Sequence, residues 1–566
     1  MSGAQTMAPT HVIVGGGSAG CVLASRLSER PENRVLLLEA GADHPPGAEP
    51  ADILDTYAGH ALNNPSYFWP KLQIERPGVA GGPRRAVRYE QARVLGGGSS
   101  INGQVGLRGA PRDFDRWEQQ GATGWNWASV LPYFRKLEAD RDFVDQYHGH
   151  AGPITVQRIP ARNWDPFTQS VTEAWAANGY SERADMNGSF EEGYAAIPLT
   201  NDGERRRSAA AGYLSRDVRA RPNLTIRAGT TVRRIVMDGA RATGVELEGA
   251  AGPETIDAGR IVLCAGALHS PWLLLRSGIG PADHVQANGV RPVLDRRGVG
   301  ANLQDHPALS VSAYLPPHVR RRPALRHNYV NLIYSSGLAG CPSADMVMMV
   351  VCKSAWHAVG ERLGTLSTYV GKAFSTGSVR LSADGLDAGP QVRFDWLSDP
   401  RDFARCVQSF RAMVTLLRNE TVSRHARDPF TVGFSDKVKR IGRKTGWNRV
   451  LTRLAATALD SSGPVRRAVI RNFVTEGVTL DDLLTDAERL EAYVREAVTG
   501  IWHPCGTCRM GQVDDPMSVT DPHGRVIGTP NLFVADASVI PEIPTTNLNL
   551  PTIMIAERLA DLIGGN

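Results

Sequence analysis

The sequence predicts a mixed fold, α/β plus α+β, in which a parallel sheet built from both ends of the chain is interleaved with a second domain on an antiparallel sheet. Three observations predict it. A strand, a glycine-rich turn and a helix follow one another at 11–29, and a strand, a loop and a helix follow one another at 531–563. Between 307 and 496 the pattern changes to longer, irregular strands with amphipathic helices.

The composition of the 566 residues excludes several classes of protein. With 42% hydrophobic and 21% charged residues, the chain is neither disordered nor collagen-like. A net charge of +5 does not favour nucleic-acid binding. Seven cysteines and a first decapeptide without an apolar signal core predict a reduced, cytoplasmic protein. No apolar run reaches the roughly 18 residues of a membrane span, so no transmembrane segment is expected.

The N-terminal elements predict a Rossmann-like unit. A β-branched strand, His11–Val14, runs into GGGSAG at Gly15–Gly20 and then into a helix-periodic segment at 21–29. A second strand at 34–38 ends in Glu39. This strand, turn, helix and strand with a terminal carboxylate is typical of dinucleotide binding.

Each motif residue has a physical reason to be there. Gly15 permits the tight turn, Gly17 lets the backbone approach a pyrophosphate, and Gly20 allows close helix packing. Glu39 would accept hydrogen bonds from the ribose hydroxyls and would disfavour the 2′-phosphate of NADP. The alternative is a purely structural glycine turn, and the motif alone does not distinguish NAD from FAD.

Two later segments are candidates to face the same ligand. Arg93–Gly103 (RVLGGGSSING) has small residues that let the backbone approach a flat ring, and Asn102 could hydrogen bond to that ring. Near the C-terminus a strand, Asn531–Ala537, ends in Asp536 before a helix predicted at Thr552–Ile563. The alternatives are a plain loop and an ordinary strand-to-helix connection.

The middle of the chain predicts further strands and helices. These are a small antiparallel meander at Asn223–Glu248, a strand at Arg260–Gly266, a helix at Pro271–Gly280, strands at Ser343–Val351 and Leu363–Val370, and a helix at Arg401–Arg418.

One segment departs from the average charge. Asp436–Asn472 contains ten Lys or Arg against two Asp, and apolar Val450, Leu451 and Leu454 share its helical stretch. A solvated helix over an active-site rim is the commoner explanation, and a membrane-surface or partner-binding helix is the alternative.

The run IWHPCGTCRMG contains Cys505 and Cys508. A redox pair would open a helix early in a small βαβ domain, haem attachment needs a histidine after the second cysteine, and zinc needs further ligands nearby. We therefore expect two structural cysteines and no metal site, with redox or metal function as the alternative.

His503 and Asn547 are the candidate catalytic residues. Removal of a hydride from an alcohol requires a group that accepts the hydroxyl proton, and neutral imidazole suits that task. His503 precedes the C-terminal elements that return to the cofactor, and Asn547 could orient the hydroxyl. The alternative for His503 is a purely structural histidine. The alternative for Asn547 is a side chain that only hydrogen bonds to the backbone at the start of the last helix.

At these motifs the chain resembles the glucose-methanol-choline (GMC) family of FAD-dependent oxidoreductases. The resemblance rests on GGGSAG, RVLGGGSSINGQ, LCAGALHSPWLLLRSGIG, GVGANLQDHP, HPCGTCRMG and VADASVIPEIPTTNLNLP, and it covers nearly the whole length. It implies that His503 is the catalytic histidine and that Asn547 is the second active-site residue.

The resemblance also implies a set of FAD contacts. It places the adenosine half on Ser18, Ala19, Glu39 and Ala40, with Val232 near the adenine. It places Arg93–Gly103, with Arg93, Gly98, Asn102 and Gly103, against the flavin, and Asp536 and Ala537 near the pyrophosphate and ring. Trp69 and Trp502 are further expected cofactor-binding residues.

Within the family the chain resembles the hydroxymethylfurfural-oxidase and aryl-alcohol-oxidase branch. Two positions depart from common patterns. Members with covalent FAD have histidine where this chain has Ile101, so FAD is expected to be non-covalent. Asn547-Leu548-Asn549 replaces the Asn-Thr-Asn of many relatives, which changes the expected shape of the pocket.

The resemblance implies oxidation of a primary alcohol, aromatic or furanic, to the aldehyde and on to the acid through its hydrate, by hydride transfer to flavin N5 with O2 as acceptor. The alternatives are a choline or aliphatic-alcohol dehydrogenase that uses a quinone or another acceptor, a lyase or light-driven decarboxylase, and a flavin-binding sensor.

The expected domains are discontinuous. The FAD-binding domain comprises 1–155, 216–306 and 498–566, and the substrate domain comprises 156–215 and 307–497.

Overall fold

The computed structural model describes residues 8–78, 82–249, 252–320, 326–432, 440–475 and 477–564. Its α-helices are Ser18–Leu27, Ala51–Leu54, Gly98–Ile101, Pro111–Gln119, Trp127–Leu137, Pro166–Ala177, Ala209–Tyr213, Arg216–Arg219, Gly266–Arg276, Ala282–Ala287, Pro400–Arg418, Glu420–Ser423, Gly446–Ser461, Gly463–Val469, Leu480–Thr485, Ala487–Ala497 and Asn549–Gly564.

A five-stranded parallel sheet is assembled from distant parts of the chain. Its spatial order is Leu532–Val534, Arg260–Leu263, His11–Val14, Val35–Leu38 and Leu224–Arg227. The three middle strands are almost entirely buried, as continuous apolar runs covered on both faces require. The predicted parallel sheet from both chain ends is confirmed.

A larger antiparallel sheet of seven strands forms the second main part of the fold. Its strands, in spatial order, are Arg427–Val432, Pro307–Tyr314, Leu363–Val370, Met346–Val351, Asn328–Tyr334 and Gly193–Ala196, with Thr499–Gly500 added beside Pro307–Tyr314. Every pairing in it is antiparallel. The helix Pro400–Arg418 packs on the strands Pro307–Tyr314 and Leu363–Val370 of this sheet, and its Phe410, Met413 and Val414 are fully buried.

Smaller sheets connect these parts. One joins Val232–Asp238, Arg241–Leu247 and Glu254–Asp257, another joins Ser378–Leu381, Pro390–Arg393, Gln73–Arg76 and Arg85–Arg88, and two pairs join Ile279–Gly280 to Leu294–Asp295 and Glu138–Asp140 to Ile154–Val156.

The predicted meander at Asn223–Glu248 is wrong in its first strand. Leu224–Arg227 pairs in parallel with Val35–Leu38 at the edge of the parallel sheet, and only the following hairpin is antiparallel. Alternating apolar residues define a strand but not its partner, because edge strands of both sheet types have the same period.

The helix predicted to begin at Pro271 begins at Gly266 instead. Proline lacks the N–H that would bond to the carbonyl of Ala267, four residues earlier. The hydroxyl of Thr507 donates to that carbonyl at 2.6 Å, so a residue far along the chain satisfies the freed group.

The two ends of the chain meet in a helix pair. The last helix, Asn549–Gly564, packs along Ser18–Leu27, and the buried Glu557 carboxylate accepts hydrogen bonds from Arg26 (2.8 Å) and from the Tyr213 hydroxyl (2.8 Å). None of the helices in the described ranges is both long and apolar enough to cross a bilayer.

Candidate active site

A cavity of about 390 Å³ begins at the carboxyl ends of the parallel strands and reaches the loops before the last helix. Sixteen of the predicted site residues line it: Gly15, Gly17, Ser18, Ala19, Glu39, Ala40, Trp69, Gly98, Asn102, Gly103, Val232, Trp502, His503, Asp536, Ala537 and Asn547. Segments hundreds of residues apart in sequence therefore share one cavity, as ligand sites of parallel α/β sheets do.

Gly20 and Arg93 lie behind this lining. A Cβ on Gly20 would stand 1.9 Å from the carbonyl oxygen of Gly15, so the glycine lets the helix approach the turn. The Arg93 guanidinium lies 5.1 Å from the ring centroid of Trp69, which stacks on His269. Arg93 thus contacts a residue of the cavity wall and is not itself among the residues that line the cavity.

The glycines that line the cavity differ in the space around them: Gly15 is tightly packed against the backbone, and Gly17 and Gly98 face open space. Gly15 has φ of +101°, and a Cβ there would lie 2.6 Å from the carbonyl oxygen of Cys264. A Cβ on Gly17 would meet no atom closer than 3.8 Å, and one on Gly98 would meet nothing within 4 Å. Side chains at these two positions would fill space that a dinucleotide needs.

The Glu39 carboxylate is anchored by backbone amides. Its Oε2 accepts the N–H of Gly16 at 2.7 Å, and its Oε1 accepts the N–H of Gly41 at 2.6 Å. Burial raises the pKa of Glu39, although these hydrogen bonds oppose the rise. The carboxylate is held at the cavity wall with lone pairs left for a further donor.

Asp536 joins the C-terminal strand to the helix that begins at Gly266. Its Oδ2 accepts hydrogen bonds from the N–H of Gly266 (2.8 Å) and the hydroxyl of Ser270 (2.5 Å), and its Oδ1 accepts two from Ser538. Burial raises the pKa of Asp536, and the four donors oppose that rise. The side chain fixes the geometry of the cavity floor.

His503 and Asn547 meet at the end of the cavity. Asn547 Nδ2 lies 3.2 Å from His503 Nε2, so the amide donates and the imidazole nitrogen accepts. Burial lowers the pKa of His503 well below its ordinary value, and the neighbouring His306 lowers it further. The ring is therefore neutral near pH 7, with a lone pair able to take a proton.

Two atoms of this pair are buried without a protein partner among the described residues. They are His503 Nδ1 and Asn547 Oδ1. Buried polar atoms are rarely left unpaired, so the arrangement is suited to a polar ligand.

Asp305 and His306 support this pair from behind. Asp305 Oδ1 accepts the backbone N–H of His503 at 3.0 Å and that of His306 at 2.8 Å. Trp502, the residue immediately before His503, has φ of +60°, a left-handed backbone conformation that costs energy in a residue with a Cβ. Burial raises the pKa of Asp305 to about 7, although the backbone donors oppose the rise.

The His306 ring lies between two carbonyls. Its Nδ1 is 3.0 Å from the oxygen of Val370, and its Nε2 is 3.0 Å from the oxygen of Thr546, the residue before Asn547. The ring also contacts His503 edge to face, at 5.3 Å between centroids. Asp305 and His306 therefore brace both members of the pair. Neither residue was among the predicted site residues, although both lie in the motif GVGANLQDHP, immediately before the buried strand Pro307–Tyr314.

A second charged cluster lies outside the cavity lining. Glu138, Asp140 and His148 are buried with possible ligand atoms within 4.8 Å of one another. Arg158 already pairs with Asp140 at 2.9 Å, and Arg108 pairs with Glu138. Burial lowers the pKa of His148, but hydrogen bonds to carboxylates prevail and raise it to about 11. The cluster is a neutralised ion network.

Cys505 and Cys508 are free and fully buried. Burial raises the pKa of both thiols well above the ordinary value. They are neutral thiols, which suits the expected structural role.

The fold and cavity are typical of one class of protein, the oxidoreductases that bind a dinucleotide cofactor on a parallel sheet, and a neutral imidazole lies at the end of the cavity. The family model of GMC oxidoreductases matches residues 10–308 and 373–556. The chain belongs to the GMC oxidoreductase family, and both the expected family and the expected fold class are confirmed.

Individual relatives agree with this assignment. The chain is 40% identical to 5-(hydroxymethyl)furfural oxidase of Methylovorus sp. (strain MP688), with 98% of each chain covered. It is 34% identical to oxygen-dependent choline dehydrogenase of Sinorhizobium fredii, over 99% of this chain and 96% of the relative. Among solved structures, pyridoxine 4-oxidase from Mesorbium loti superposes with a TM-score of 0.79 at 30% identity, with 99% of each chain covered.

GMC oxidoreductases bind FAD, and the cavity fits that cofactor. Gly17 and Gly98 leave open space where a Cβ would stand, and Glu39 offers a fixed carboxylate. The protein is an FAD-dependent alcohol oxidoreductase.

Proposed function

We propose that the protein oxidises a primary alcohol on an aromatic or furan ring to the aldehyde, with O2 as acceptor and H2O2 as the second product. The observation that carries the proposal is the neutral His503 imidazole held 3.2 Å from the Asn547 amide at the end of the cavity. The names of the furfural oxidase and the pyridoxine oxidase relatives support an oxidase acting on a ring-bound alcohol.

His503 is the base in this proposal. The substrate hydroxyl enters between the His503 and Asn547 side chains and replaces the Asn547 N–H at Nε2. Nε2 then accepts the hydroxyl proton as the carbinol carbon gives up its hydride, and the Asn547 amide donates to the hydroxyl oxygen and orients it. FAD, held by the cavity residues, would supply the redox chemistry as the hydride acceptor, with O2 as the final electron acceptor. The alcohol thus loses two electrons and two protons, which O2 gains. An aldehyde hydrate is again an alcohol, so oxidation to the acid follows by the same steps.

The proposed FAD site has two halves. Ser18, Ala19, Glu39, Ala40 and Val232 hold the adenosine half. The flavin half lies near Trp69, Gly98–Gly103, Trp502, Asp536 and Ala537, and Arg93 and Gly20 support these walls from behind. The cofactor is non-covalent in this proposal, because Ile101 stands where covalent members of the family have histidine.

We propose the discontinuous domains 1–155, 216–306 and 498–566 for FAD, and 156–215 and 307–497 for substrate. The two largest sheets support this division, since all five strands of the parallel sheet lie in the first set and all six strands along the path of the antiparallel sheet lie in the second, whereas the four-stranded sheet takes two strands from each set. We also propose a cytoplasmic location, which the seven free cysteines support.

The test is an anaerobic visible spectrum of the holoenzyme with a panel of benzylic, furanic and aliphatic alcohols and choline, followed by admission of air. Bleaching by the ring-bound alcohols and rapid recovery in air with peroxide formation is the expected result. Bleaching by choline alone, or recovery only with a quinone, would support the dehydrogenase alternative instead.

A further inference from the structure

We infer that the helix Gly446–Ser461 docks the protein on an anionic phospholipid surface. Seven of the twelve exposed large apolar side chains of the described residues lie between 447 and 478, which concentrates them in one small part of the chain. Single exposed apolar residues are ordinary, but a concentrated patch marks a site of interaction.

The helix has two apolar faces. Thr452, Ala456 and Leu459 are buried against the protein. Trp447, Val450, Leu451 and Leu454, which follow helical spacing on another face, are 74%, 51%, 40% and 67% exposed. At 100° per residue the centre of this second face points away from the buried one, so it is directed outwards. We call these four residues the apolar ridge.

Positive charge lies next to the apolar ridge, at Arg449 and Arg453 on the same helix and at arginines just before and after that helix. Arg440, Arg443, Arg449, Arg453 and Arg471 have no carboxylate partner among the described residues. The one acidic residue in this part of the described chain, Asp460, is occupied by Arg320 and Arg362. Residues 436–439 of the basic segment lie outside the described residues. An outward apolar ridge with Trp and Leu, flanked by arginines, is the pattern of a helix that lies in an anionic membrane interface.

A second copy of the chain does not suit this surface. A two-fold contact through the apolar ridge would bring the same five arginines of each copy together, and like charges in an interface repel. An anionic lipid surface neutralises them and also accepts the apolar side chains.

The segment just before this helix lies beside the cavity rim. Trp356 Nε1 donates to the carbonyl of Gly442 at 2.6 Å, and a Cβ on Gly442 would lie 3.4 Å from Asn63 Oδ1. Leu62, the residue before Asn63, is exposed and lines the cavity. Docking through the apolar ridge would therefore bring the cavity rim close to the lipid headgroups. The inference concerns binding and does not depend on which alcohol is oxidised.

The test is sedimentation of the holoenzyme with vesicles of phosphatidylcholine alone or with phosphatidylglycerol at about 3:1, at low and high salt. We expect binding to the anionic vesicles that weakens as salt rises. The double variant Trp447→Ser/Leu454→Ser, with unchanged charge, should bind about tenfold or more weakly. Arg449→Gln/Arg453→Gln should bind roughly 25-fold more weakly.

Val144→Ser is the matched control, because Val144 is 88% exposed and lies elsewhere in sequence; it should bind like the parent. Flavin absorbance and thermal unfolding of each variant verify the fold. The inference is overturned if the parent does not bind anionic vesicles, or if the Trp447→Ser/Leu454→Ser variant binds them as well as the parent, which would indicate charge attraction alone. Self-association of the parent that this variant abolishes, without vesicle binding, would assign the surface to a second copy.

Discussion

Removal of the Asp305 carboxyl should misplace His503 without removing it. Asp305 Oδ1 accepts the N–H groups of His503 and His306. Asp305→Ala leaves both buried N–H groups unpaired, at about 1–3 kcal/mol each, so the free energy of unfolding should fall by about 2–6 kcal/mol. The left-handed conformation of Trp502 costs about 1–3 kcal/mol, so without the Asp305 carboxyl this backbone would relax and the adjacent His503 would move with it. A displacement of about 1 Å at the base slows a reaction on the order of 100-fold.

Asp305→Asn is the matched control, because its side-chain oxygen can still accept both N–H groups. Rapid-mixing measurement of anaerobic flavin reduction, with FAD content and thermal unfolding in parallel, separates the variants. We expect Asp305→Ala to retain FAD and reduce it about 100-fold more slowly, and Asp305→Asn to stay within a few-fold of the parent. Equal rates for Asp305→Ala and the parent, or equal losses in both variants, would refute the bracing role.

Further outcomes follow from the same contacts. His503→Ala should slow flavin reduction by about 10²- to 10⁴-fold with FAD still bound, and a parental rate in stopped-flow would contradict the base assignment. Glu39→Gln should weaken FAD binding by about tenfold to a hundredfold in a fluorescence titration, since one anchored oxygen is lost; unchanged affinity would remove Glu39 from the site. His148→Gln should lower the free energy of unfolding by about 3–5 kcal/mol in urea, because it leaves buried carboxylates uncompensated, while the flavin spectrum stays parental. The pKa of Asp305, about 7, lies above its unfolded value, so the stability this group contributes is full below about pH 4 and is lost as pH rises through 7. The Tm of Asp305→Asn minus that of the parent should therefore rise between pH 5 and pH 8 in calorimetry, and a flat difference would show that the carboxyl does not titrate there.

The features that were predictable from sequence are those fixed by local chemistry. The strand His11–Val14 has the predicted bounds, and the glycine turn after it follows from a tight turn that only glycine permits. The helix at Pro400–Arg418 differs from its predicted start by one residue, because a capping Asp399 and a proline mark its beginning.

The features that were not predictable depend on partners distant in sequence. Leu224–Arg227 has the pattern of any half-buried strand, and only its neighbour Val35–Leu38 makes it parallel. The helix start before Pro271 depends on the Thr507 hydroxyl, more than two hundred residues away. His306 supports Asn547 through the main-chain carbonyl of Thr546. Every residue has such a carbonyl, so the sequence does not indicate which one the ring will contact.

The order of strands in the parallel sheet has a consequence for synthesis of the protein. Arg260–Leu263 is flanked by His11–Val14, which is made before it, and by Leu532–Val534, which is made long after it. Until the ribosome has released that last strand, Arg260–Leu263 is an unprotected apolar sheet edge, and such edges pair readily with other chains. His503, Asp536 and Asn547 are also made long after Arg260–Leu263. The complete cavity therefore forms only once these residues have been synthesised, and the exposed strand edge favours aggregation until then.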